Sequence, residues 1–365
     1  MSVFHTLQVS DSDRALAEPT AGLNLRHCHH ATRLSAAIAC LLLTLLVAAC
    51  GNDSNDASGG REVNANAQPP SNTAAMGNSS AVDSSPATAG AEGTKSVSTV
   101  KGDVEIPLHP KRIVAEEYLG TLIALDVIPV GAPGLTLQNY YFKQALNGVA
   151  DTGQYGQPSV ENIVGLQPDL ILIGSANNYD QLSKISPTLV IPYGELKNVH
   201  EELTYFGKLL DREEQAKAWL KQYDERVAAA RAKVDAAIPD DATFSIMEVG
   251  DKSTWVYGDN FGRGGQPIYQ ALGRKPPERV RAEIMEKQWM ELSAEMLDHY
   301  AGDYIIMTSN SRTVEDFESD PLWGSLPAVK NGRLYVWPEE RSWYYDPLAV
   351  QSQIEELTAW LAPDH

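Results

Sequence analysis

Across 365 residues, 48 acidic side chains outnumber 29 basic ones, leaving a formal charge of −19. An excess of that size excludes electrostatic binding of nucleic acid or of anionic lipid surfaces. Three cysteines exclude a dense disulfide framework, so stability must rest on one or two buried apolar cores.

Residues 34–49, LSAAIACLLLTLLVAA, carry no charge and follow Arg26 and Arg33. Sixteen residues rise only about 24 Å as a helix, short of the ~20 residues of a membrane span. A basic lead, a short apolar run and small residues before a cysteine mark a secretory signal. Val47, Ala48, Ala49 and Cys50 resemble a bacterial lipobox, whose cysteine becomes the lipidated first residue of the mature chain. Residues 1–49 are expected to be a lipoprotein signal peptide. The lipid on Cys50 would then hold the protein at the extracytoplasmic face of the membrane. An uncleaved anchor is the other reading of this run. The 33 residues ahead of it are long for such a lead and point to a translation start further downstream. Of the cysteines, only Cys50 would survive cleavage, since Cys28 and Cys40 leave with the signal.

Residues 51–96 contain no Leu, Ile, Phe, Tyr or Trp. Such a segment cannot bury enough apolar surface to offset its ordering entropy, so 50–96 is expected to be a disordered tether. Its reach would be roughly 35–40 Å. Order is expected from residue 97. Runs 111–117 (KRIVAEE), 127–133 (VIPVGAP), 168–174 (PDLILIG) and 187–194 (PTLVIPYG) are short, β-rich and bounded by Pro or Gly. Helical stretches at 118–126 and 158–167 separate them, which implies βαβ units and a mostly parallel sheet over 97–210. In 211–238, Trp219, Leu220, Tyr223, Val227 and Val234 recur at helical spacing with no Gly or Pro until Pro239. One helix of about 40 Å is predicted there. Runs 243–250, 303–309 and 332–338 repeat the strand pattern, giving a second α/β lobe over 239–365.

The stretch 255–273, WVYGDNFGRGGQPIYQALG, raises a separate question. It lacks the Lys of G-x-x-x-x-G-K-[ST] and the spacing of G-x-G-x-x-G, so it is neither phosphate loop nor dinucleotide fingerprint. Trp255 and Tyr257 are expected to end a strand, the glycines to let backbone approach a bulky ligand, and Arg263 to stand among them as a donor. A helix over QPIYQALG, closed by Gly273, would follow.

HPKRIVAEEYLGTLIALDVIPVGAP, PSVENIVGLQPDLILIG, LSAEML with AGDYIIM, and LPAVKNGRLYVW resemble, in order, segments of the periplasmic-binding proteins of iron–siderophore ABC importers. The resemblance covers about residues 100–362, and NFGRGGQPIYQALG is most similar to the ferric-hydroxamate branch of Gram-positive lipoproteins. It implies the class III fold: two Rossmann-like α/β lobes bridged by a single long helix, with limited closure. It also implies a monomer that binds a ferric siderophore between the lobes, delivers it to ABC permease subunits and catalyses nothing.

A ferric siderophore brings iron with six oxygen ligands, so the protein needs no cofactor and supplies no metal ligand directly. It needs aromatic faces and a few Arg or Tyr donors on loops at strand carboxyl ends. On the first lobe Glu117, Tyr118, Tyr155, Asn177, Asn178, Tyr179 and Tyr193 hold such positions; on the second, Trp255, Tyr257, Arg263, Arg312, Arg341, Trp343 and Tyr344. About three arginines amid many aromatics suit a near-neutral hydroxamate complex better than an anionic catecholate. By resemblance, Glu161 and Glu295 are the paired carboxylates, one per lobe, that meet arginines of the permease. Ferric citrate, haem or cobalamin receptors share this fold and remain alternatives. A bare-metal receptor would need grouped histidines, whereas His109, His200, His299 and His365 are scattered. An exported hydrolase is the rival of another class, yet neither a G-x-S-x-G elbow nor an H-E-x-x-H motif is present.

Overall fold

The computed structural model describes residues 93–250 and 253–363. The signal segment, Cys50 and most of the expected tether lie outside them. A hairpin comes first: β1 (Thr94–Thr99) pairs antiparallel with β2 (Gly102–Pro107), from Thr94 opposite Pro107 to Thr99 opposite Gly102. β1 therefore begins three residues inside the segment assigned to the tether. Its sequence, TKSVST, alternates in exposure with Val97 as the one large apolar residue, and its order comes from pairing with β2 rather than from burial.

The first lobe carries a five-stranded parallel sheet. It contains β3 (Ile113–Ala115), β4 (Gly131–Ala132), β5 (Ala150–Asp151) and, beyond a small hairpin of β6 (Gly153–Gln154) and β7 (Gln157–Pro158), β8 (Leu170–Ile173) and β9 (Thr188–Val190). The order β5-β4-β3-β8-β9 reverses direction of growth at β3, and every residue of β3, β8 and β9 is buried. Full burial is what a parallel sheet covered on both faces requires. Helices α1 (Leu119–Ala124), α2 (Val160–Leu166) and α3 (Val199–Leu210) follow strands of this lobe.

The bridge is α4, Glu213–Ala237, 25 residues long. It starts two residues later than 211–238 predicts because Asp211 turns left-handed (φ 57°) and closes α3, so two helices abut at Arg212. Ala216, Tyr223, Ala230 and Val234 form its buried stripe, with Trp219 stacked on Tyr223 at 5.5 Å.

In the second lobe the sheet runs β12-β11-β10-β13-β14, made of β10 (Phe244–Val249), β11 (Thr254–Tyr257), β12 (Trp289–Leu292), β13 (Tyr304–Thr308) and β14 (Leu334–Trp337). β10, β13 and β14 are parallel; β11 and β12 are added antiparallel on one edge.

The last helix, α5 (Pro347–Leu361), does not stay with that lobe. It packs on α1 and α3 of the first lobe, on α4, and on the second-lobe turn at 266–271. One apolar core runs through all of these elements, joining Leu172 and Phe206, Val234, Phe244 and Ile246, and Val350 and Leu357. Asp346, the N-cap of α5, seats its carboxylate against Gly120, where any side chain would collide with it. The lobes are thus tied twice, by α4 and by α5.

Candidate functional site

Loops at the carboxyl ends of strands from both sheets meet in one cleft. After β11 the chain makes three left-handed residues in a row, Gly262 (φ 71°), Arg263 (φ 57°) and Gly264 (φ 96°). A Cβ at Gly262 would run into the carbonyl of Trp343, and one at Gly265 into that of Gly258. These glycines therefore admit the protein's own backbone, not a ligand, which corrects the expectation for them. The following residues, Gln266–Ala271, form a wide π-type turn, with Leu272 N–H donating to Pro267 O at 2.8 Å, instead of an α-helix.

The tight loop fixes Arg263. Its amide donates to Ser342 O at 2.6 Å, Nε to Glu248 Oε2 at 2.8 Å, and Nη1 to Phe261 O at 3.2 Å. The guanidinium lies 4.7 Å from the Tyr257 ring and 4.6 Å from the Trp343 ring. Only 8% of Arg263 and 2% of Glu248 is exposed, and Tyr257 donates to the same Glu248 oxygen at 2.7 Å. Burial makes this pair costly to separate.

Arg263 borders a cavity of about 180 Å³ that both lobes line. From the first lobe come Glu117 and Tyr118 after β3, Tyr155 in the β6–β7 hairpin, Tyr193 after β9, and Glu202 of α3; from the second, Trp343, Tyr344, Tyr345 and Asp346. Tyr155 and Tyr193 join hydroxyl to hydroxyl, and Tyr193 donates to Glu117 Oε1 at 2.6 Å. Tyr118, left-handed at φ 66°, donates to Ile191 O at 2.5 Å and packs on Phe206. Tyr193 and Tyr345 are shared with an outer cavity of about 590 Å³, lined also by Phe261, Gln288, Trp289, Lys197 and Lys287.

The inner cavity is acidic. Burial pushes Glu202 up to about 8, with Asp346 and Glu117 adding repulsion against a hydrogen bond from Thr121. Burial likewise raises Asp346 to about 6, opposed by the amides of Ala349 and Leu348 that it caps. Glu116 and Glu339, which do not line the cavity, are each raised to about 7, again chiefly by burial.

Residues 113–341 match the model of the periplasmic binding protein family. The chain belongs to the periplasmic binding protein family. It is 39% identical over 268 residues to the iron(3+)-hydroxamate-binding protein YxeB of Bacillus subtilis strain 168, covering 72% of this chain and 83% of that one. Against FhuD of the same organism, also named an iron(3+)-hydroxamate-binding protein, identity is 35% over 339 residues, 90% of this chain and 98% of FhuD. FhuD2 from Staphylococcus aureus with bound ferrioxamine B superposes with a TM-score of 0.63 at 30% identity, covering 69% and 98% of the two chains. A periplasmic binding protein of this kind captures a substrate and transforms nothing.

Against that family background, the cleft gathers Glu117, Tyr118, Tyr155, Tyr193, Arg263, Trp343 and Tyr344 of the residues expected there. Others lie elsewhere. Trp255 is 2% exposed and belongs to the core, and Tyr257, fully buried, lies behind Arg263; both point off one face of β11. Asn178 donates to Gly156 O at 3.0 Å and braces the hairpin that carries Tyr155. Asn177 and Tyr179 line neither cavity. Arg312 is spent on Asp320 (3.0 Å) and the Phe317 ring, and Arg341 on Glu356 (2.6 Å). Both arginines follow strands as predicted, but Asp320, just past a short helix (Val314–Ser319), and Glu356 of α5 capture them. Glu202, Tyr345 and Asp346 line the cavity without having been singled out. Tyr345 and Asp346 directly extend the Trp343–Tyr344 pair, a signal that was available; Glu202, in the first turn of α3, gave none.

Glu161 in the first turn of α2 and Glu295 in a single 3-10 turn (Ala294–Met296) are both exposed. Among the described residues no group of three or more His, Cys, Asp or Glu could hold a metal ion, and no helix is long and apolar enough to cross a membrane.

Proposed function

We propose that this chain is the extracytoplasmic receptor for a ferric hydroxamate siderophore, which it delivers to the permease of an ABC importer. The carrying observation is the single guanidinium of the inner cleft, already paired with Glu248 and set among tyrosines, tryptophan and carboxylates. A ferric catecholate or citrate complex carries several negative charges and would meet Glu117, Glu202 and Asp346 with one compensated cation to offset them. A ferric trihydroxamate is neutral at its iron centre. Its organic shell would lie on the aromatic faces while the remaining N–H groups of Arg263 donate to iron-bound oxygens. The names of YxeB, FhuD and ferrioxamine-bound FhuD2 support the same choice.

Iron arrives fully coordinated, so it is cargo, and no cofactor of the protein's own is required. Cys50 carries the lipid that holds this monomer at the membrane, and Glu161 and Glu295 meet the permease subunits. The test is quenching of intrinsic fluorescence, for which Trp343 on the inner cavity and Trp289 on the outer one are reporters. Ferric hydroxamates should quench saturably below micromolar concentration. Tighter binding of ferric citrate, a ferric catecholate, haem or cobalamin would overturn the ligand, and hydrolytic turnover would overturn the receptor.

A further inference from the structure

Between β4 and β5 the chain leaves the first sheet at Gly134, whose amide donates to Gly153 O at 3.0 Å, and returns at Ala150, whose amide donates to Val130 O at 3.1 Å. Residues 135–149 between these anchors join no strand. Their main-chain bonds close short turns, as from Asn139 N–H to Thr136 O and from Lys143 N–H to Asn139 O. A loop tied at both ends and bonded largely to itself can move as a unit. Leu135, Thr136 and Phe142 of this loop line the inner cavity, as Arg263 does from the other lobe. The loop also crosses to that lobe. Tyr141 Oη donates to Arg341 O at 2.6 Å, and the Tyr140 ring lies 6.0 Å from the Arg341 guanidinium. Gln353 of α5 donates to the same carbonyl at 2.8 Å, so the acceptor is itself held in place.

Pockets that enclose small-molecule ligands measure about 300–1,000 Å³. The inner cavity holds about 180 Å³, so a siderophore that meets Arg263 needs a wall to give. Several walls are braced: Arg263 by Glu248, Tyr118 by Ile191 O, and Asp346 against Gly120. Separation of the lobes is opposed by α4, α5 and their shared core. The 135–149 loop is the wall least built into either lobe. Phe142 and Leu146 anchor it in the core and Tyr141 latches it across the cleft, while Lys143, Gln144, Ala145, Asn147 and Gly148 are exposed.

Resting on the ferric-hydroxamate reading, we infer that residues 135–149 form a gate: the loop unlatches from Arg341 to admit the siderophore to Arg263, and the Tyr141 hydroxyl is its latch. The test is stopped-flow fluorescence quenching with the ferric complex of a linear trihydroxamate, Trp343 on the inner cavity serving as reporter. The observed rate should level off as ligand concentration rises, because loop opening rather than encounter then limits binding. Tyr141→Phe keeps the ring and deletes only the latch bond, so it should raise that plateau by about fivefold. Leu146→Ala loosens the loop's anchor in the core without touching the cavity lining, and it should raise the plateau as well. A rate that climbs linearly with ligand up to the limit of mixing would overturn the gate and leave the hydroxamate reading standing. A plateau that neither substitution shifts would place the slow step elsewhere and overturn it too. Failure of the parent protein to bind the complex would overturn the hydroxamate reading and this inference with it.

Discussion

Glu202→Gln tests the electrostatics of the cleft without any ligand. In the folded protein Glu202 titrates at about 8, against an ordinary value of 4.5, because burial penalises the charged form. The sign follows from linkage. A carboxyl whose folded value is raised contributes most when protonated, so its stabilisation is complete below pH 4.5 and is lost as pH climbs to about 8. Each pH unit across that window costs the fold about 1.4 kcal/mol, so the whole window amounts to roughly 4–5 kcal/mol. Gln is isosteric, neutral at every pH, and keeps a carbonyl oxygen for the Thr121 hydroxyl. Urea denaturation of the parent should therefore show stability falling from pH 5 to pH 8.5, and the variant should fall much less. Near pH 5 the two should agree within about 1 kcal/mol, and at pH 8.5 the variant should be the more stable. Glu116, Glu339 and Asp346, raised for the same cause, would leave the variant a residual slope. Parallel pH profiles for the two proteins would refute the reasoning.

Arg263→Ala strands Glu248 as a buried, unpaired charge; stability should drop by about 3–5 kcal/mol, and fluorescence titration at a temperature where the variant stays folded should show lost siderophore affinity. Adding Glu248→Gln should recover most of the stability and none of the affinity. Replacing Glu161 and Glu295 together by Ala should leave ligand affinity in solution unchanged while abolishing cellular iron uptake; a fall in affinity would remove them from the docking face.

Strand runs and the bridge were legible because their signals are local: continuous apolar stretches of four or five residues, and a helical stripe ended by Pro239. What escaped were features that depend on a partner. β1 has almost no apolar content and is ordered by β2; α5 has an obvious buried face, but periodicity does not say that the face lies across both lobes. The same distinction sorts the site. Tyr118, Tyr193, Arg263 and Trp343 could be placed by their position after strands, whereas Arg312 and Arg341 hold equivalent positions and are diverted by Asp320 and Glu356. Which arginine stays available is decided by where distant acids fall. The glycines of 258–265 were visible as a demand for close approach, but only folding reveals that the approaching groups are the protein's own, the carbonyl of Trp343 at Gly262 and that of Gly258 at Gly265.

Two ties between the lobes, α4 and α5, have a consequence for traffic at the membrane. A receptor hinged at one flexible point announces its cargo by snapping shut, and an empty copy is readily ignored. Here a continuous apolar core opposes such a swing; in the receptor role proposed above, loaded and unloaded copies would present nearly the same outline to a transporter. Empty copies would then compete for the same landing place, and uptake at scarce iron should slow when the receptor is overproduced. Discrimination would fall to the exposed face of the cargo itself and to the few side chains that move with it.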